Sequence, residues 1–170
     1  YAPGLFKGKV ALVSGGGSGL GKASAVLFAR LGASVAICGR NPEKLDTVAG
    51  LISGLGAKVS THSMTIRDPE AVSALIADVT DTHGGLDVLV NNAGGQFPQP
   101  AIDYSVKGWN AVIDTNLNGT WYMMQAAARY WRDAGIPGST VTSVARIWRG
   151  LPASAHNWSA RAGAGALAQR

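Results

Sequence analysis

Short runs rich in Val and Ala alternate with longer helical patterns from residue 9 onward, and Gly, Asn or Asp-Pro signals after the runs start the next helix. A chain with this rhythm has few ways to fold. Consecutive strands joined by a helix cross over right-handedly, so they lie parallel, and helices must cover both faces of the sheet. The rhythm places strands at Lys9–Ser14, Ser34–Cys38, Lys58–Met64, within LDVLVNNAG, and at 139–145. A first helix is expected over Leu20–Leu31. A second starts at Asn41-Pro42, an N-cap with proline in the first turn, and carries the apolar stripe Leu45, Val48, Ile52 and Leu55. Asp68-Pro69-Glu70 repeats that signal, and Val72, Leu75, Ile76 and Val79 share one face of the helix that follows. A long helical region runs from Ser105 to Asp133. The expected fold class is α/β: a doubly wound parallel sheet with helices on both faces, truncated after the fifth strand.

With 170 residues the chain can bury one core, and a single domain over 1–170 is expected. Hydrophobic residues make up 46% and charged ones 15%, the balance of an ordinary globular protein rather than a disordered one. The net charge of +5 is spread without a basic run, which argues for a solvated surface and against nucleic-acid binding. One cysteine, Cys38, excludes an intramolecular disulfide and fits a reducing compartment. No apolar stretch reaches the roughly 20 residues of a membrane span, no signal peptide opens the chain, and no metal is expected. The cytoplasm is the expected location. The first residue is Tyr1 rather than methionine and the last, Arg170, falls within a helical pattern, so a fragment of a longer domain is expected.

SGGGSGLG, residues 14–21, lies where a strand turns directly into a helix. A pyrophosphate can approach such a turn only where no Cβ intervenes, and backbone N–H groups and the helix dipole then hold it. Gly15 serves the tight turn, Gly19 the close approach and Gly21 the helix–strand packing, with Ser18 and Leu20 between them. This is the signature of a Rossmann-type dinucleotide site; the alternative is a tight turn that binds nothing. Strand two ends in Gly39-Arg40 rather than in the acidic residue that would hold an adenosine ribose diol. Arg40, with Lys44 one helical turn on, could pair with the 2′-phosphate of NADP. NADP (NADPH) is therefore preferred over NAD, the alternative being a solvated loop charge at Arg40.

SGGGSGLG, LDVLVNNAGG and DTNLNGT together resemble the short-chain dehydrogenases/reductases over the whole chain. The opening APGLFKGKVALVSGG, the loop NNAGGQFPQPA, the segment KGWNAVIDTNLNGTWYM and the tail RAGAGAL resemble, more narrowly, peroxisomal-type trans-2-enoyl-CoA reductases and their bacterial relatives. The resemblance implies that Asn91-Asn92-Ala93-Gly94 lines the cofactor cleft, with Asn92, Ala93 and Gly94 at the cofactor and Asn91 and Asn92 also able to tie strands together. An aspartate that meets the adenine in family members is replaced by Thr65. Asn116 matches the family's catalytic asparagine, which bends the backbone and holds a water that here would meet Arg161. Ser143 matches the serine that hydrogen-bonds the substrate oxygen.

The family's tyrosine and lysine, four residues apart, are missing from AHNWSARAGAGAL, residues 155–167. Counting from Ser143 puts His156 at the tyrosine position; counting back from RAG puts Asn157 there and Arg161 at the lysine. The second alignment is preferred, because Asn157 and Arg161 share a helical face. His156 then reads as a partly buried helix-start residue and Trp158 as packing or rim. Ketone reduction makes an alkoxide and needs a positioned acid, which Asn157 cannot be. Conjugate reduction of an enoyl thioester makes an enolate, whose oxygen needs donors such as the Ser143 hydroxyl, the Asn157 amide and the Arg161 cation. The expected activity is reduction of an enoyl thioester with NADPH. The alternatives are a 3-oxoacyl or other carbonyl reductase and a non-catalytic cofactor-binding fragment. The resemblance also implies a homodimer or homotetramer, for which Met123, Met124, Tyr130 and Trp131 offer either an interface or core packing.

Overall fold

The computed structural model of the chain describes residues 1–144 and 152–169. Its five parallel strands, β1 (Val10–Ser14), β2 (Ser34–Gly39), β3 (Val59–Ser63), β4 (Val88–Asn91) and β5 (Ser139–Thr142), lie in the order β3-β2-β1-β4-β5. The order reverses direction at β1, so the ends of β1 and β4 face a crevice, the place where open α/β sheets bind ligands. Helices α1 (Gly19–Arg30) and α2 (Pro42–Ser53) precede β2 and β3. Helix α3 (Pro69–His83) precedes β4, α4 (Val106–Ile113) and α5 (Gly119–Ala134) precede β5, and α6 (Ala155–Leu167) follows it.

Strand alternation sorts the core into two layers. Val13, Val35 and Ile37 pack on one face with Ala25 and Ala29 of α1 and Leu45, Val48 and Ile52 of α2. Leu12, Ala36 and Cys38 pack on the other with Val72 and Val79 of α3 and Met123, Ala127 and Trp131 of α5. All five residues of β1 are buried, which explains its unbroken apolar run. The helix starts obey their caps: Asn41 Oδ1 accepts from Lys44 N at 2.9 Å, and Asp68 Oδ1 accepts from Glu70 N and Ala71 N at 2.9 and 3.2 Å.

Several expectations are corrected. The stripe on α2 stops at Ile52, because the helix ends at Ser53; Leu55 lies beyond the cap Gly54 and is 45% exposed. The long helical region is two helices joined by a π-helical turn, Asp114–Asn118. There α5 approaches the segment after β3 so closely that a Cβ on Gly119 would lie 2.7 Å from the Ile66 side chain. Strand β5 ends at Thr142; of the expected remainder, Ala145 lies outside the described residues. Of the four candidate interface residues, Met123 and Trp131 are core, with Trp131 Nε1 donating to Leu86 O at 2.7 Å. Met124 and Tyr130 pack half-buried against that core. Among the described residues no helix is long and apolar enough to cross a membrane.

Edge strand β3 is held to α3 by a polar chain. Asp78 Oδ2 lies 3.1 Å from His62 Nδ1, and Ser60 Oγ lies 2.8 Å from both His62 Nε2 and His83 Nε2. With its proton on Nδ1, neutral His62 donates a hydrogen bond to Asp78, Ser60 donates to His62 Nε2, and His83 donates to Ser60. Burial lowers the pKa of His62 against the opposing pull of Asp78. Burial, then Lys58 and His62, lower that of His83. The folded chain thus binds fewer protons here than the unfolded one below the ordinary histidine value near 6.5. The stabilisation is complete above that pH and is lost as pH falls through the lowered folded values. Melting temperature should fall between pH 7.5 and 5.5, and the slope should flatten in His62→Gln/His83→Gln; an unchanged slope would show that the cluster does not carry it.

Candidate active site

At the top of β1 the chain turns sharply because Gly15 adopts φ 66° and both Gly15 N and Gly16 N donate to Cys38 O, at 2.8 and 3.3 Å. A Cβ on Gly21 would collide with the Gly15 carbonyl and the Asn92 side chain, so α1 can start only where a glycine stands. Gly19, at φ 52°, has open space where its Cβ would be, leaving the helix start accessible. Ser14 stitches this turn to β4: its Oγ donates to Val90 O at 3.3 Å and accepts from Asn92 N and Ala93 N at 3.1 Å. Asn92 Nδ2 completes the stitch, donating to Ser14 O and Gly15 O at 3.1 and 3.3 Å. Sequence reasoning overlooked Ser14, although a serine at a strand end beside a glycine turn is the signal for such a role.

A cavity opens above this turn. Gly15, Ser18, Arg40, Asn92, Ala93 and Gly94 all line it, as six of the nine residues expected at a cofactor. Gly19, Leu20 and Gly21 do not: Gly21 is buried beneath the turn, Leu20 is 72% exposed, and Gly19 borders a separate groove between α1 and α2. Lys44 joins Arg40 on the wall, and Arg67, which sequence reasoning also missed, adds a third cation. Arg67 is held by Thr115 Oγ1 at 2.6 Å and Ala111 O at 3.0 Å. No carboxylate stands among the described residues of the lining. Cys38 backs the cavity, fully buried, with its thiol pushed up to about 12 by burial; it is held as an inert thiol.

Beyond Gly94 the four candidate catalytic residues converge. Asn116 sits at the centre of the π-helical turn, fully buried. Its Oδ1 accepts from Gly95 N, and its Nδ2 donates to Gly95 O and to Asn157 Oδ1, each at 2.9 Å. Asn116 thus meets Asn157 directly. Arg161 crosses to the residue after β5 and donates through Nη1 to Ser143 O at 2.7 Å. A Cβ on Gly94 would collide with its guanidinium and lie 2.9 Å from Asn116 Oδ1, so the absence of a side chain there admits both groups. Burial lowers the Arg161 pKa, and the guanidinium makes no ion pair among the described residues. An anion would relieve that desolvation. Among the described residues neither the Ser143 hydroxyl nor Asn157 Nδ2 makes a hydrogen bond.

His156 is fully buried, in contrast to the partly buried residue expected. Trp158 is half-buried, with its Nε1 buried and without a partner among the described residues.

The sequence profile of the short chain dehydrogenase family matches residues 9–148. The chain belongs to the short chain dehydrogenase family. It is 38% identical over 156 residues to a probable 2,4-dienoyl-CoA reductase of Bacillus subtilis, a match covering 91% of this chain and 61% of that protein. The chain therefore spans about 61% of the length of that curated relative. Among solved structures it resembles a citronellol catabolism dehydrogenase of Pseudomonas aeruginosa, with a TM-score of 0.91, 39% identity and coverage of 98% and 68% of the two chains. It also resembles an NAD+-bound xylitol dehydrogenase, with a TM-score of 0.91, 27% identity and coverage of 95% and 63%. Members of this family are oxidoreductases that use a nicotinamide cofactor. The cavity fits one chemically, since the glycine turn, Ser18 and the cations Arg40, Lys44 and Arg67 line it and no carboxylate does among the described residues.

Gly21→Ala should cost about 1–3 kcal/mol of stability through overpacking and abolish nucleotide binding, read by thermal melting and by dinucleotide titration. An alanine variant that binds normally would mean the turn can open to admit a Cβ.

Proposed function

We propose that this protein is an NADP(H)-dependent reductase of an α,β-unsaturated acyl thioester. The observation that carries the reading is the Asn116–Asn157 amide pair where ketone reduction would require an acid. The similarity to the probable 2,4-dienoyl-CoA reductase supports the same substrate class. Arg40 and Lys44, on a cavity wall without a carboxylate among its described residues, support a 2′-phosphate over a free ribose diol.

The glycine turn and Ser18 would hold the pyrophosphate, Arg40 and Lys44 the 2′-phosphate, and Ala93 and Gly94 would let backbone approach the nicotinamide ribose. Reduced nicotinamide, when bound, would supply a hydride to the β-carbon, and negative charge would then fall on the thioester oxygen. The Ser143 hydroxyl and Asn157 Nδ2 donate to that oxygen. Asn116 takes up Asn157 Oδ1 and so leaves the amide nitrogen as the end that faces substrate. Arg161 adds a fixed positive charge but cannot release a proton at neutral pH. The α-carbon therefore takes its proton from water. Each donor of this kind is worth about 2.7–4 kcal/mol in the transition state.

NADPH should bind more tightly than NADH, and Arg40→Ala should erase the difference; tighter NADH binding would refute the cofactor assignment. Crotonyl-CoA and a 3-oxoacyl thioester should be compared under NADPH, with turnover expected on the first. Turnover confined to the 3-oxo substrate would establish a carbonyl reductase instead. Asn157→Ala and Ser143→Ala should each lower enoyl turnover by about 100-fold, and two fully active variants would sink the oxyanion site.

A further inference from the structure

The start of α6 lacks an ordinary cap. Ser154 occupies the N-cap position, yet its side chain makes no capping hydrogen bond. The Asn157 N–H, one of the unpaired donors of the first turn, is taken up by His156 Nδ1 at 2.8 Å. Because Nδ1 accepts a backbone proton it carries none itself, and the neutral ring has its proton on Nε2.

The ring is fixed from two sides by the loop after β4. Tyr104 stacks on it with centroids 4.3 Å apart and planes at 23°, and Phe97 meets it edge-on at 4.7 Å and 88°. Tyr104 Oη lies 3.3 Å from Nδ1 and 3.2 Å from Ala153 O. Gln99 N also donates to Ala153 O, at 2.9 Å, and Ala153 is held in the left-handed region at φ 59°. The same loop reaches Asn116 through both backbone groups of Gly95. Contacts thus close a circuit: His156 to Asn157, Asn157 to Asn116, Asn116 to Gly95, and back along the chain to Phe97 and His156.

We propose that His156 is a positioning residue, which through Nδ1 sets the amide of Asn157 at the reacting oxygen. The inference rests on the proposed function, since it assigns Asn157 its task from there. A ring that only filled space would need no acceptor at this atom. In this circuit the acceptor is joined to the donor that faces substrate by one residue of backbone. An error of about 1 Å in such a donor costs on the order of 100-fold in rate.

Two substitutions separate the roles of the ring. His156→Phe keeps its volume and its packing against Tyr104 and Phe97 but removes the acceptor. His156→Asn places an oxygen near Nδ1 while giving up the packing. The expected result is faster hydrogen exchange of the Asn157 backbone amide in the Phe variant, with protection retained in the Asn variant. Enoyl turnover should fall at least tenfold in kcat in His156→Phe with unchanged NADPH affinity, and recover to within about threefold of the parent in His156→Asn. In an Asn157→Ala background the Phe substitution should cost nothing further. Unchanged exchange in His156→Phe, or a loss of melting temperature with kcat intact, would overturn the positioning role. If Asn157→Ala itself leaves turnover intact, the proposed function of that asparagine fails. If Asn157→Ala is costly and His156→Phe is not, the positioning role alone fails. Because the exchange measurement needs no turnover, the capping bond is tested even in an inactive protein.

Discussion

Gly21 must be a glycine because the Gly15 carbonyl and the Asn92 amide occupy the space its side chain would take. That contact joins three elements: the end of β1, the start of α1 and the end of β4. Ser14 and Asn92 hold it from below through hydrogen bonds to backbone groups that the sheet ladder leaves open at the turn. The strand order turns back on itself at β1, and so the stitched turn becomes the floor of a crevice. Dipole, bare backbone N–H groups and flanking cations then meet at one end of the sheet.

The other end of the crevice rests on a different constraint. Asn116 is fully buried and can be satisfied only by partners brought to it, here Gly95 and Asn157. The π-helical turn makes this possible by rotating Asn116 out of the regular helical ladder between α4 and α5. Arg161 is held separately, against the Ser143 carbonyl, which divides the site into a neutral amide pair and a desolvated cation. Such a division suits the stabilisation of charge on an oxygen better than the delivery of a proton.

Much of the fold was legible in residue patterns. Strand runs, the Asn41 and Asp68 caps and the face of α3 all correspond to local chemistry, which tertiary contacts here reinforce. The failures also have local causes. Leu55 continues the period of α2 but follows Gly54, where the helix has ended. Residues 105–133 read as one helix because a single inserted residue in a turn leaves no mark on an apolar period. Met123 and Trp131 suit an interface as well as a core, and only the packing of α3 against α5 decided between them. The separation of Gly19, Leu20 and Gly21 from the cavity wall likewise depends on how α1 leaves the turn.

The residues themselves determined the parallel sheet, the glycine turn and the absence of a phenol and an ammonium four apart on α6, because these depend on side-chain identity and spacing along the chain. Only the tertiary structure decided what meets what. It paired Asn116 with Asn157 and sent Arg161 to Ser143. It also buried His156 between Phe97 and Tyr104 and brought Arg67 to the cavity. The partners in these contacts are up to 59 residues apart, and no local period encodes which of several polar groups on a helix a distant loop will reach.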